Sequence, residues 1–157
     1  MIVVQACRFE LPFDLKILEN LTPLDYLSKY CHLSSRRQYQ FKRLFDKYRS
    51  RNYRFDSSYL HVSLLNIHKH HLTREIFDHV CQLIGLDDQQ HQFTFNTFTG
   101  ILALCERIVY RSALLYKDQD DYNLSKDAIE KCDFYSLERK FDGLLISDAM
   151  KQLLNNL

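Results

Sequence analysis

At 157 residues, with 46% apolar and 26% charged side chains, the chain is long enough to bury a core and too apolar to be disordered. Three glycines and two prolines are too few for a strand-and-turn fold, so the composition predicts an all-α protein with short polar loops. The net charge of +1 points by itself to neither nucleic acid nor membrane.

The first 15 residues are ambiguous, with Ile2-Val3-Val4 readable as a short strand or as an apolar arm. They lack the basic and long apolar regions of a secretory signal, and no stretch approaches the roughly 18 apolar residues of a membrane span. Five cysteines, an odd number with no C-x-x-C, suggest neither zinc nor a redox motif. No membrane association and a cytoplasmic, reducing setting are therefore expected. A cytoskeletal or ciliary home is compatible with this, but no residue argues for it.

Thr22, Pro23 and Asp25 open a short helix whose apolar face is Leu24, Leu27, Tyr30 and Cys31. Ser35 and Gln38 form a capping-box pair for a second helix, where Phe41, Leu44, Phe45 and Tyr48 recur on one face. A third helix starts near Ser57 or Ser58, carries Leu60, Leu64 and Ile67, and closes in His68-Lys69-His70-His71. Thr73 caps the fourth, with Leu72 and Phe77 as a hydrophobic staple and Gly85 as C-cap. Its stripe is Ile76, Phe77, Val80, Cys81 and Ile84. Asn96 is the expected cap of a fifth, central helix bearing Phe98, Ile101, Leu102, Cys105, Ile108 and Val109. Lys117 to Asn123 reads as a polar linker. A sixth helix then runs from Leu124-Ser125 through Cys132, another ends near Gly143, and Ser147 caps the last.

Residues 38 to 109 resemble a paired EF-hand lobe of the calmodulin kind. Phe41, Phe45 and Asp46 look like the end of an entering helix and the first loop position. Phe55 and Phe93, 38 residues apart, stand where such loops place the apolar residues that pair with each other. Leu60 and Phe98 open the exiting helices. The resemblance implies residues 34–112 as a degenerate EF-hand pair, with 1–33 as an N-terminal arm and helix. Residues 113–157 follow as a linker and C-terminal helices packing on the lobe.

The loops depart from the family where calcium is held. A binding loop needs oxygen ligands at positions 1, 3, 5 and 12 and Gly at 6. Counted from Asp46, the first loop is two residues too long and places Tyr59 where the bidentate Glu belongs. Counted from Asp87, the second is one residue too short and places Thr97 there. Neither loop is expected to hold calcium.

Other constellations are weaker. His61, His68, His70 and His71 lack an accompanying acid or thiolate and read as solvated turn residues, so neither a metal nor a cofactor is expected. No nucleophile motif or phosphate-binding glycine loop exists, so no catalytic residue is assigned and the chain is not expected to be an enzyme. Charge is concentrated between Arg36 and Arg54, where eight basic residues face Asp46 alone. Arg49, Arg51 and Arg54 are the candidate partner-binding residues. The reading is a calcium-independent adaptor or scaffold of EF-hand-like fold, binding an amphipathic helix or an acidic surface of a protein. The alternative is a basic module binding nucleic acid or an acidic filament or tail; near-neutral net charge counts against nucleic acid.

Overall fold

The computed structural model describes residues 7–114 and 128–157, so the Ile2–Val4 segment, the polar run 117–123 and the expected helix opening at Leu124-Ser125 lie outside the described residues. The chain is mostly helical. Strand β1 (Cys7–Phe9) leads through a 3-10 helix (Leu15–Asn20) to α1 (Pro23–Tyr30) and β2 (Cys31–Leu33). Helix α2 (Ser35–Tyr48), β3 (Phe55–Asp56) and α3 (Leu60–His68) form one helix–loop–helix unit. Helix α4 (Arg74–Ile84), β4 (Gln92–Phe93) and α5 (Phe95–Leu114) form the second. The chain ends in α6 (Ala128–Asp133), α7 (Leu137–Lys140) and α8 (Asp148–Asn155). Among the described residues no helix is long and apolar enough to cross a membrane.

Local chemistry explains most boundaries. The Thr22 hydroxyl accepts from Asp25 N while the Asp25 carboxylate accepts from Thr22 N, a reciprocal cap that also holds the Asp25 carboxyl below the usual carboxylate range. Ser147 caps α8 through Met150 N, and Thr73 caps α4 through Ile76 N. Gly85 ends α4 at φ +68°, a left-handed position that Gly occupies without strain.

Two caps fall one or two residues before their expected places. Ser34, not Ser35, caps α2 by accepting from Arg37 N, because β2 already runs to Leu33 and the chain turns immediately after it. Thr94, not Asn96, accepts from Thr97 N at the start of α5, because β4 ends at Phe93.

β1 and β2 pair antiparallel with Cys7 opposite Leu33 and Phe9 opposite Cys31. Cys31 therefore belongs to a strand rather than to the α1 face, whose fully buried residues are Tyr26 and Leu27. The Tyr26 hydroxyl donates to the Glu10 carbonyl at 2.7 Å, fixing the N-terminal segment over α1.

α5 runs through the middle of the core. Phe98 and the run Ile101 to Cys105 are inaccessible to solvent, and α1, α2, α3 and α4 all pack against this helix. α1 comes closest, at Gly100: a Cβ there would lie 2.5 Å from the Leu27 carbonyl oxygen. α8 packs on α4 and α1 through the face carrying Met150, Leu153 and Leu154.

A buried ion pair ties the ends of the chain to this centre. Arg107 of α5 meets Glu130 of α6 at 2.7 Å, donates to the Leu157 carbonyl at 3.0 Å, and lies 5.2 Å over the Phe9 ring. One turn later, Arg111 donates to the Asn156 carbonyl at 2.8 Å. Two arginines thus meet the last carbonyls of the α8 segment, where cations are favoured.

Candidate functional site

The two helix–loop–helix units meet at their loops. β3 and β4 pair antiparallel with Phe55 opposite Phe93 and Asp56 opposite Gln92. Ser57 N donates to the His91 carbonyl at 2.8 Å, and His91 N donates to the Ser57 hydroxyl at 2.9 Å, extending the link by one residue. Behind it lies an aromatic cluster. The Phe55 ring is 4.3 Å from that of Phe98 and 6.1 Å from that of Phe45, so each unit contributes rings to the other's interior. Tyr48 stacks on Tyr59 at 5.3 Å, which sets the residue just before α3 against the end of α2.

The loop carboxylates are engaged by the protein itself. Asp46 accepts from Lys42 and from Arg49, each at 2.8 Å, and these bonds hold its carboxyl below the usual range. Asp56 accepts from Ser58 N and from the Gln90 amide, with the same effect on its carboxyl. Asp87 accepts from the His91 ring at 2.6 Å and from Gln89 N at 3.0 Å, which lowers it likewise.

The basic loop separates the three candidate arginines. Ser50 N donates to the Arg54 carbonyl at 2.8 Å, and Tyr53 N and Arg54 N return bonds to Ser50. This closes a small turn in which Tyr53 takes φ +56°. Arg49 is drawn inward: its guanidinium bonds to Asp46 and covers the Tyr53 ring at 4.1 Å. Arg51 and Arg54 are exposed and make no ion pair among the described residues. The loop thus uses one arginine to brace itself and presents two.

The basic character continues along α2. Arg36, Gln40, Arg43 and Lys47 recur at i, i+4, i+7 and i+11, which puts them on one stripe. Beside that stripe α2 and α3 enclose a groove of about 480 Å³ with Phe41, Leu44 and Ile67 in its lining and Arg37, Arg43 and Lys47 around them. Arg37 is paired through two nitrogens with the Glu106 carboxylate of α5 and lies 5.5 Å from the Phe41 ring centre. Arg43 has no partner among the described residues.

The histidines do not behave as one solvated cluster. His70 and His71 stack on each other in the exposed turn, and His61 packs edge-on against Phe77. His68 differs from expectation: it is buried at the end of α3, and its Nε2 makes no hydrogen bond. Leu60, Ser63 and Leu64 precede it on the buried side of α3, and that side continues to position 68. No group of three or more His, Cys, Asp or Glu side chains gathers into a metal-binding arrangement among the described residues.

The cysteines are free. Burial pushes the Cys7 and Cys81 thiols up to about 11 and Cys105 to about 12, and it raises Cys31 as well. Such thiols carry little thiolate at neutral pH and are poor nucleophiles.

Sequence reasoning missed the Arg107–Glu130 and Arg37–Glu106 pairs. Arg107 stands among the apolar residues between Cys105 and Val109 and is buried with them, and a charge within an apolar run is the one signal that pointed to a buried partner. No family model, curated relative or solved structure matches the chain.

Proposed function

We propose that the protein is a calcium-independent protein–protein interaction module, an adaptor or scaffold, of EF-hand-like architecture. The observation that carries this reading is the antiparallel pairing of Phe55 with Phe93 between two helix–loop–helix units. It is the contact by which paired EF-hand loops share one core. The state of the loops supports independence from calcium. Asp46, Asp56 and Asp87, the carboxylates nearest to ligand positions, accept from Lys42, Arg49, Ser58, Gln90, His91 and Gln89. A calcium ion would have to break those bonds and would still lack a bidentate carboxylate, since Tyr59 and Thr97 stand at the last loop positions.

The residues on offer favour a protein partner. Among the described residues Arg51 and Arg54 present positive charge without engaging an aromatic face, and Arg49 already covers one side of Tyr53, so this loop offers little platform for stacked bases. Immobilising the full chain and capturing partners in chelator and in about 1 mM calcium tests the reading. The same protein partner should be recovered at equal yield in both. Recovery only with calcium, or recovery of nucleic acid alone with a yield that collapses between about 50 and 200 mM salt, overturns it.

A further inference from the structure

We infer that the groove between α2 and α3 seats an acidic, amphipathic helix of a partner protein, an inference that rests on the adaptor reading above. An interior groove between the two units is not on offer. α1 and α8 cover faces of α4 and α5, with Tyr26, Leu27, Met150 and Leu153 fully buried, while Leu145 of the preceding segment stays exposed. The chain thereby fills its own interior, which leaves outer surfaces, and among these the crevice between α2 and α3 is the one whose charged lining residues are all cationic.

Its chemistry defines the occupant. Phe41 and Leu44 form its buried floor and the half-buried Ile67 part of its wall, and on α3 the exposed Val62 stands one turn before Asn66, which also lines it. The charged side chains in the lining are Arg37, Arg43 and Lys47, all cationic. Glu106 neutralises Arg37 from behind and fixes its position. Asp46, the one acid of α2, is held by Lys42 and Arg49. Among the described residues Arg43 therefore has no counter-charge, and Arg36 extends the stripe by two turns. A segment with apolar residues along one face and carboxylates flanking them complements both features. Two helix walls accept it by ridge-into-groove packing. Arg51 and Arg54, in the loop that follows the same helix, add positive potential that steers an acidic segment inward.

The test is selection against the full chain from a displayed library of random helix-favouring peptides of about sixteen residues, a length matched to α2. Enriched peptides are then measured on variants whose helical content and melting temperature match the parent. The expected result is enrichment of acidic peptides with apolar residues at i, i+3 or i+4, and i+7. Their affinity should fall about tenfold or more on Arg43→Glu with Lys47→Glu, and less on the neutral Arg43→Gln with Lys47→Gln. Arg51→Glu with Arg54→Glu should slow association while leaving dissociation nearly unchanged. Enriched peptides that are not acidic, no enrichment, or equal binding to the Arg43 and Lys47 variants overturns the groove. Displacement of the peptides by a single-stranded oligonucleotide at equal concentration also overturns it. If the groove fails while calcium-independent capture of a partner succeeds, the adaptor reading stands and its contact surface lies elsewhere.

Discussion

His68 shows how a single side chain couples this fold to pH. It lies at the junction of three elements, facing Glu106 of α5, Arg37 of α2 and His71 of the following turn. Burial lowers its pKa from the usual 6.5, Arg37 and His71 act in the same direction, and Glu106 opposes them. The folded state therefore prefers the neutral ring. As pH falls through 6.5 the unfolded chain takes up the proton first, so stability is full above that value and declines below it until the folded-state pKa is reached. The loss between about pH 7.5 and 5.5 is bounded by linkage at roughly 1.4 kcal/mol. Denaturant titrations of the parent and of His68→Leu at the two pH values measure it. The parent should lose stability and the variant should lose less; equal losses would show that His68 protonates freely when folded. The carboxyls of Asp25, Asp46, Asp56 and Asp87 are depressed from 3.8 and contribute in a separate window, at lower pH.

Among the elements, the α1–α5 contact depends on one hydrogen atom at Gly100. Because a Cβ there would stand 2.5 Å from the Leu27 carbonyl oxygen and 2.8 Å from its Cβ, Gly100→Ala must push α1 away from α5. Overpacking of this kind costs about 1–3 kcal/mol, well beyond the helix-propensity gain of Ala over Gly. Chemical denaturation should report a net loss, and a stabilised Gly100→Ala would mean that α1 shifts without resistance. This close approach also marks where sequence reading stopped. The turns and caps at Thr22, Thr73, Gly85 and Ser147 were legible because they rest on residues within a few positions of each other. The apolar stripe of α5 was legible because its period is local. The pairing of Cys7–Phe9 with Cys31–Leu33 was not, since it joins segments with no periodicity of their own, and it removed Cys31 from the face of α1. The stripe of α4 was rotated as well: Val80, Leu83 and Ile84 are buried, while Ile76, Phe77 and Cys81 are only half-buried. α8 arrives from the far end of the chain to pack on α4, and nothing near residue 76 announces it.

Over the described residues, the buried side chains form one continuous cluster that runs from Cys7 to Leu157 and includes both helix–loop–helix units. The basic concentration of the candidate site was legible as composition. Its division was not, because the bracing of Arg49 by Asp46 and Tyr53 and the fixing of Arg37 by Glu106 depend on how the elements close. The Arg107–Glu130 pair and the carbonyls of Asn156 and Leu157 bind the C-terminal segment to α5, and Tyr26 binds the N-terminal segment to α1. No division of the chain leaves either unit with a core of its own, so unfolding should be a single cooperative transition. Far-ultraviolet and tyrosine signals should therefore give coincident melting curves. Calcium should not move that transition, because the loop carboxylates Asp46, Asp56 and Asp87 already accept hydrogen bonds from the protein. A ligand present at about a hundredfold above its dissociation constant adds roughly 2.7 kcal/mol, several degrees in a domain of this size. Melting in about 1 mM calcium and in chelator should thus agree to within about a degree. A clear rise with calcium would mean that Asp46 or Asp87 abandons its present partners for the ion. Two separated transitions would mean that the loop pairing at Phe55 and Phe93 does not fuse the units into one core.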